Sequence, residues 1–381
     1  MTDFYHSNFK VGILGGGQLG RMFIQEAVNL DLNVHILDSD TNAPCKAIAN
    51  HFELGDIKDF DTVYQFGKEM DVVTIEIEHV NVDALEQLEQ EGVRVFPQPK
   101  LIRMVQDKGL QKTFYKENGI PTSDFHLLKS KADLADYRDF FPCVQKLRKG
   151  GYDGKGVQVL KDPDQLDQAF DAPNLIEAFV DFEKELSVIV SRNEAGEIVS
   201  YPIVELEFNP EANLVEFLFS PADVSKEIEQ KAAAIAQSLI QKMELVGILA
   251  VEMFLTKDGE ILVNEIAPRP HNSGHQSIEG NITSQYEQHM RSILNLPLGD
   301  TAIIKPSVMV NLLGEKGAEG DVNYQGLREV LGWSGVYPHI YGKKTVKSFR
   351  KMGHVTIIND SLEEAKKVAL KVKETIKVLG Q

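Results

Sequence analysis

Cysteine is scarce: Cys45 and Cys143 are the only two in 381 residues, so no disulfide framework can form and a reducing cytoplasm is the simplest setting. Long apolar runs are missing as well. Nothing approaches the roughly 20 residues that span a bilayer, and the opening MTDFYHSNFK has no apolar core of the kind that marks a signal peptide. Positive charge is also in deficit: 40 Lys and Arg against 57 Asp and Glu leave a net charge of −17, which repels nucleic-acid phosphates. A partner is therefore expected among small molecules, and an anionic one requires cations gathered in one cleft. No Walker loop (Gly-x4-Gly-Lys-Ser/Thr) occurs. His271 and His275 stand four apart, but Pro270 and Gly274 argue against the helix that a zinc pair needs, and no third ligand follows. What remains is ample apolar material, 43% of the chain, for two or three domains.

The pattern predicts an N-terminal α/β unit with strand 10–14, helix 19–30, strand 33–38, strand 72–77, helix 81–91 and strand 93–96, bounded by FPQPK at 96–100. A helix over 101–118, a strand over 143–147 and two hairpins follow. The hairpins turn at Glu194-Ala195-Gly196 and at Asp258-Gly259. After LPLGD at 296–300 a tail begins, closing on an amphipathic helix over 361–379 that is read as packing.

Gly15-x-Gly17-x-x-Gly20, between a strand and a helix, matches the dinucleotide fingerprint, and Asp38 lies at the spacing of a ribose contact. An NAD dehydrogenase is therefore one reading. The second hairpin points elsewhere. A two-residue turn pairs Lys257 with Glu260, Phe254 with Val263 and Glu252 with Glu265, so two carboxylates oppose each other about 5 Å apart. Such a pair calls for a cation or a raised pKa between them, and oxygen ligands suit magnesium carrying nucleotide phosphates. The loop QKLRKGGYDGKGV at 145–157 supplies Lys146, Lys149, Lys155 and four glycines able to wrap an anion. LIEAFVDFEKELSV at 175–188 places an apolar strand before Glu185, suited to an adenine and its ribose. In NEIAPRPHNSGHQS at 264–277, Arg269 fits a planar oxyanion and a histidine can move a proton. YGKKTVKSFRKMGH at 341–354 gathers Lys343, Lys344, Lys347, Arg350 and Lys351, the local cationic patch that an anionic substrate demands.

Together, GGGQLGRM (15–22), TIEIEHV (74–80), QDKGLQK (106–112), GGYDGKG (150–156), NEIAPRPHNSGH (264–275) and RKMGH (350–354) resemble the ATP-grasp superfamily, and within it the 5-(carboxyamino)imidazole ribonucleotide synthetase family, in order over nearly the whole chain. The resemblance implies a mixed α/β and α+β architecture: a Rossmann-like domain over 1–100, an ATP-grasp domain over 101–298 and a small C-terminal domain over 299–381. It implies ATP, magnesium and bicarbonate as the small-molecule set, with aminoimidazole ribonucleotide as acceptor, and a homodimer. Lys108 and Lys146 would meet the nucleotide. Gly151, Tyr152, Asp153, Gly154, Lys155 and Gly156 would close over its phosphates, Glu177, Ala178, Phe179 and Val180 would line the adenine, and Glu185 would take the ribose. Asn264 and Glu265 would complete that site, with Glu252 and Glu265 on magnesium. Arg269, His271, Tyr152 and Lys155 form the implied catalytic set: Arg269 and Tyr152 would hold the bicarbonate-derived group, and phosphate or His271 would take the amine proton. Gly17, Gln18, Leu19, Glu76, Asn272, Ser273, Lys343, Arg350 and Lys351 would hold the ribonucleotide, and Asp38 becomes an ordinary strand-end acid. The chain departs from its relatives at Lys108, often Arg; at Phe208, often a nucleotide-contacting His; at VKSF before RKMGH; and at Ala267, where many ATP-grasp enzymes have an Asn metal ligand. Other ATP-grasp activities, such as a formate-dependent transformylase or a biotin carboxylase, would lack APRPHNSGH with YGK and RKMGH. A catalytically silent nucleotide sensor would bind ATP without turnover.

Overall fold

The computed structural model describes His6 and residues 8–151, 156–211 and 214–381. Five parallel strands, β1 (Lys10–Leu14), β2 (Asn33–Asp38), β3 (His51–Leu54), β4 (Val72–Ile75) and β5 (Arg94–Val95), run in the order β3-β2-β1-β4-β5 with helices α1 (Gln18–Ala27), α2 (Phe60–Gly67) and α3 (Val82–Gln90). The order reverses between β1 and β4, so the loops after these two strands diverge and leave the crevice where such sheets bind ligands. Sequence patterning misses β3 and α2. As an edge strand, β3 exposes Leu54 and carries no clean alternation. The expected strand 72–77 ends at Ile75, because Glu76 turns into the crevice.

The expected helix 101–118 is two helices, α4 (Pro99–Val105) and α5 (Lys108–Glu117). Asp107 breaks it: its carboxylate accepts the Gly109 and Leu110 amides at 2.9 and 3.3 Å while Arg148 donates to both oxygens at 2.8 and 2.7 Å. The break makes Lys108 the first residue of a new helix. Beyond it, β6 (Phe125–Leu128), β7 (Cys143–Leu147), β8 (Val157–Leu160) and β9 (Asn174–Ala178) form an antiparallel sheet ordered β6-β9-β7-β8.

The largest sheet has nine strands. It combines β10 (Phe182–Arg192), β11 (Ile198–Ser200), β12 (Val204–Asn209), β13 (Leu214–Ser220), β14 (Gly247–Thr256) and β15 (Ile261–Ala267) with β16 (Ser307–Leu313), β18 (Val336–Ile340) and β20 (Lys351–Ile358). Its central order is β15-β14-β10-β12-β13-β16-β20-β18. Helix α6 (Lys226–Met243) buries Leu239, Ile240 and Met243 against Leu186, Val188 and Val251. Helices α7 (Ser277–Gly280) and α8 (Gln285–Ile293) join this region to the first domain, where His289 meets Thr74 at 3.0 Å. Position 299 is no break in the sheet: Phe217 on β13 pairs with Val310 on β16. The tail adds β17 (Glu319–Gln325), α9 (Leu327–Val330), β19 (Thr345–Lys347), α10 (Leu362–Thr375) and β21 (Lys377–Gly380). The last helix is thus shorter than 361–379: β-branched Ile376 and Val378 leave it and bury in the same core, Val378 pairing with Tyr324 on β17. Among the described residues no helix is long and apolar enough to cross a membrane.

Candidate functional site

The hairpin β14–β15 opposes Glu252 and Glu265, as counting outward predicts, but by a different path. The turn holds three residues, since Thr256 N–H donates to the Glu260 carbonyl and Gly259 adopts φ +79°. Leu255, Phe254 and Met253 therefore pair with Ile261, Leu262 and Val263, one residue away from the expected register. A β-bulge at Asn264 then restores it. Adjacent strand residues ordinarily face opposite ways; the bulge instead lets both Asn264 and Glu265 meet cleft lysines. Lys146 Nζ donates to Asn264 Oδ1 at 2.9 Å and Lys108 Nζ to Glu265 Oε1 at 2.6 Å.

The two carboxylates are not equivalent. Burial, reinforced by Glu265 and Glu185, pushes Glu252 up to about 7. Glu265 is held below the ordinary range, because Lys108 and Lys146 outweigh its desolvation. A desolvated acid facing a charged one fits a divalent cation held by two carboxylates. Among the described residues no group of three or more His, Cys, Asp or Glu side chains is arranged to hold a metal.

On the other wall, Lys146 (β7) and Glu177 (β9) form a buried pair at 3.1 Å. Glu177 belongs to this ion network, so the backbone of Ala178, Phe179 and Val180, emerging at the end of β9, is what remains to line an adenine. Ala178 already donates to the Asp124 carbonyl and Phe179 to that of Pro142, while the Phe179 ring is exposed. Glu185 on β10 faces the cleft, pushed by burial up to about 7. Gly151 and Gly156 frame the glycine loop. Tyr152, Asp153, Gly154 and Lys155 lie outside the described residues.

The segment after β15 is irregular, as two prolines require. Arg269 Nε pairs with Glu78 Oε1 at 2.8 Å, both largely buried. His271 Nε2 stands 3.7 Å from Glu252 Oε1, and its Nδ1 accepts the Ser273 amide at 3.3 Å, which assigns the ring proton to Nε2. Burial and the charges of Arg269 and Lys351 hold this imidazole neutral, well below its usual range. Asn272 is committed to a reciprocal amide pair with Asn311 at 2.9 and 2.8 Å, and Ser273 Oγ lies 2.8 Å from Ser187 Oγ. Both expected substrate contacts are buried, with their side chains bonded inside the protein. His275 is buried too, against Tyr286 and Gln285.

In the glycine loop the amides are already occupied. Glu76 accepts Gly17 N–H at 2.5 Å and Gly20 N–H at 2.7 Å, and Asp38 accepts Gly16 N–H at 2.5 Å. Asp38 is therefore a loop cap, not the idle acid expected. A Cβ on Gly17 would come within 2.3 Å of Glu76 Oε1, so the glycines make room for this side chain. A dinucleotide pyrophosphate would have to displace these carboxylates to reach the Gly16, Gly17 and Gly20 amides. Gln18 opens α1 and the Leu19 side chain lies in the core. The cationic patch divides. Lys343, Lys344, Lys347 and Arg350 line a cleft of about 400 Å³ against Asp40, Asn42 and Pro44. Lys351 opens β20 on the other side, its charge reaching Glu252 and His271. Lys343 and Lys351 are tied by the Lys343 Nζ bond to the Lys351 carbonyl at 2.7 Å.

Sequence reasoning missed Glu78 and Lys112. Glu78 was visible in TIEIEHV as a second acid two residues from Glu76, and Lys112 as the i+4 partner of Lys108 on one helix face.

Three family models cover most of the chain: a ribonucleotide synthetase preATP-grasp domain over 9–106, an ATP-grasp domain over 113–286 and a phosphoribosylaminoimidazole carboxylase C-terminal domain over 307–368. A chloroplastic phosphoribosylaminoimidazole carboxylase of Vigna aconitifolia is 40% identical over 92% of this chain, which spans 64% of that relative's length. The N5-carboxyaminoimidazole ribonucleotide synthetase of Thermotoga maritima is 43% identical with a TM-score of 0.91, covering 98% of this chain and 100% of its own. The Aspergillus clavatus N5-carboxyaminoimidazole synthase, solved with ADP and 5-aminoimidazole ribonucleotide, is 34% identical with a TM-score of 0.87 over 97% of this chain and 98% of its own.

Proposed function

The chain belongs to the N5-carboxyaminoimidazole ribonucleotide synthetase family of ATP-grasp enzymes, and we propose that it carboxylates the 5-amino group of 5-aminoimidazole ribonucleotide with bicarbonate, splitting ATP to ADP and phosphate, in purine biosynthesis. The observation that carries this reading is the opposed pair Glu252 and Glu265, with Lys108 on one flank and His271 on the other. A bicarbonate oxygen attacks the γ-phosphorus and ADP leaves, giving carboxyphosphate. The bond from its carbon to the bridging oxygen then breaks, phosphate departs with that oxygen, and the amine nitrogen takes the carbon dioxide carbon. Both steps depend on neutralising and aligning phosphoryl oxygens, the task of Lys108 and Lys146. Magnesium, held by Glu252 and Glu265, supplies further positive charge there when bound.

Arg269, anchored by Glu78, holds the bicarbonate-derived carboxylate with Tyr152. The amine proton goes to the departing phosphate, since the free nitrogen of His271 already carries a proton and Nδ1 faces Ser273. Lys343 and Arg350, joined by Lys347, grip the ribonucleotide 5′-phosphate, with Gln18 and Glu76 along the sugar. The 150–156 loop, including Lys155, excludes water from carboxyphosphate. A homodimer in the cytoplasm completes the reading; Cys45 and Cys143, both free and buried, suit a reducing compartment.

ADP release measured with each substrate omitted tests it. The expected rate requires both aminoimidazole ribonucleotide and bicarbonate; a rate indifferent to both, or one restored by formate, refutes it.

A further inference from the structure

Lys112 lies one turn beyond Lys108 on α5 and is 2% exposed, yet it contacts neither of the opposed carboxylates. Its Nζ meets Thr122 Oγ1 at 2.5 Å, Ser123 Oγ at 3.2 Å and Glu177 Oε2 at 3.2 Å. The other Glu177 oxygen meets Lys146 Nζ at 3.1 Å, and Lys146 reaches Asn264 across the cleft. One buried carboxylate thus serves two ammonium groups, on α5 and β7, and Ser123 donates to it as well at 2.9 Å. With Lys146 as its only partner Glu177 would form a neutral pair, whereas Lys112 leaves the trio with one net positive charge. Two partners divide the carboxylate's charge.

We propose that Lys112 is a positioning residue of the nucleotide site: it clamps Glu177 and takes half of its charge, so that Lys146 keeps positive charge for the phosphates. The proposal rests on the ATP reading of the cleft. The local balance agrees with it. Burial draws the Lys112 ammonium down to about 8, Glu177 opposes, and Lys146 and Lys108 add to the fall, so this lysine holds its charge through Glu177. Glu177 in turn stays below the ordinary carboxylate range because Lys146 and Lys112 outweigh its desolvation.

Calorimetric titration of the full chain with ATP, alongside steady-state kinetics and melting curves, tests this with Lys112→Met and with the double variant Lys112→Met/Glu177→Gln. The single variant keeps Lys146 as a partner for Glu177 and so leaves no orphaned buried charge. It is expected to lose ATP affinity about tenfold, the scale of one charge-assisted contact, with the KM for ATP following and the KM for the ribonucleotide unchanged. The double variant, which releases Lys146 from the acid, is expected to regain most of that affinity. Unchanged ATP affinity in a folded Lys112→Met overturns the proposal, and so does a parallel rise of both KM values. A double variant weaker than the single one, the result of a merely structural lysine, overturns it too. If the single variant does not fold, Lys112→Gln takes its place under the same criteria. Failure of the unaltered protein to bind ATP overturns the reading beneath the proposal and is distinguishable from all of these.

Discussion

Glu252 and Glu265 are direct partners on neighbouring strands because two irregularities cancel: a three-residue turn moves the register one way and the bulge at Asn264 moves it back. The same bulge turns Asn264 toward Lys146 while Glu265 meets Lys108. Glu265→Ala removes a magnesium ligand and the partner of Lys108 together. Turnover is expected to fall by about 10³-fold or more, with chelator abolishing the activity of the unaltered enzyme and magnesium restoring it. Near-normal ADP release by the variant would contradict this.

A pH signature follows from Glu252. Its folded pKa, about 7, lies above the ordinary carboxyl value, so unfolding releases a proton between those limits and stability falls as pH rises through them. Glu252→Gln lacks that slope. In chelator, the difference in unfolding free energy between the two proteins is expected to shift by up to about 3 kcal/mol in favour of the variant between pH 5 and 8. A difference that does not vary with pH would show that Glu252 ionises normally.

The Glu76 cap on α1 gives a test against dinucleotide binding. Glu76→Gln leaves one oxygen for two amides and brings an NH2 against an N–H, at a cost of about 2 kcal/mol. The denaturation midpoint is expected to drop and the KM for the ribonucleotide to rise. NADH fluorescence should stay unchanged in both proteins; saturable NADH binding by either contradicts the cap.

Glu78 orients Arg269. Glu78→Gln is expected to raise the KM for bicarbonate about tenfold, the worth of one charge-assisted bond, with the KM for ATP unchanged. A bicarbonate KM that stays constant would leave Arg269 with no anchoring role for Glu78.

In the cationic cleft, Lys343→Ala should raise the KM for aminoimidazole ribonucleotide by about tenfold, one phosphate contact, with little change in kcat. An unaltered KM places the phosphate elsewhere.

Much of this was legible in the sequence. The strand-glycine-helix entry, the opposed acids and the irregular 269–275 loop follow from periodicity, turn residues and proline. Three things were not. Asp107 reads as an ordinary polar position until Arg148, 41 residues on, makes it a helix break. GGGQLG reads as a ligand cradle, because no local signal says that Glu76, 59 residues from Gly17, fills it. The family resemblance places Asn272 and Ser273 on the ribonucleotide, and nothing local shows that their side chains bond to Asn311 and Ser187 on distant strands. In each case a long-range partner decided the role.

The central claim, that bicarbonate is activated by phosphoryl transfer in this cleft, is tested most directly with 18O-labelled bicarbonate, ATP and aminoimidazole ribonucleotide, followed by mass analysis of the released phosphate. Attack by a bicarbonate oxygen on the γ-phosphorus predicts one labelled oxygen in the phosphate formed in the earliest turnovers. Turnover that yields only unlabelled phosphate would mean that water, not bicarbonate, opens the ATP, and would contradict the account.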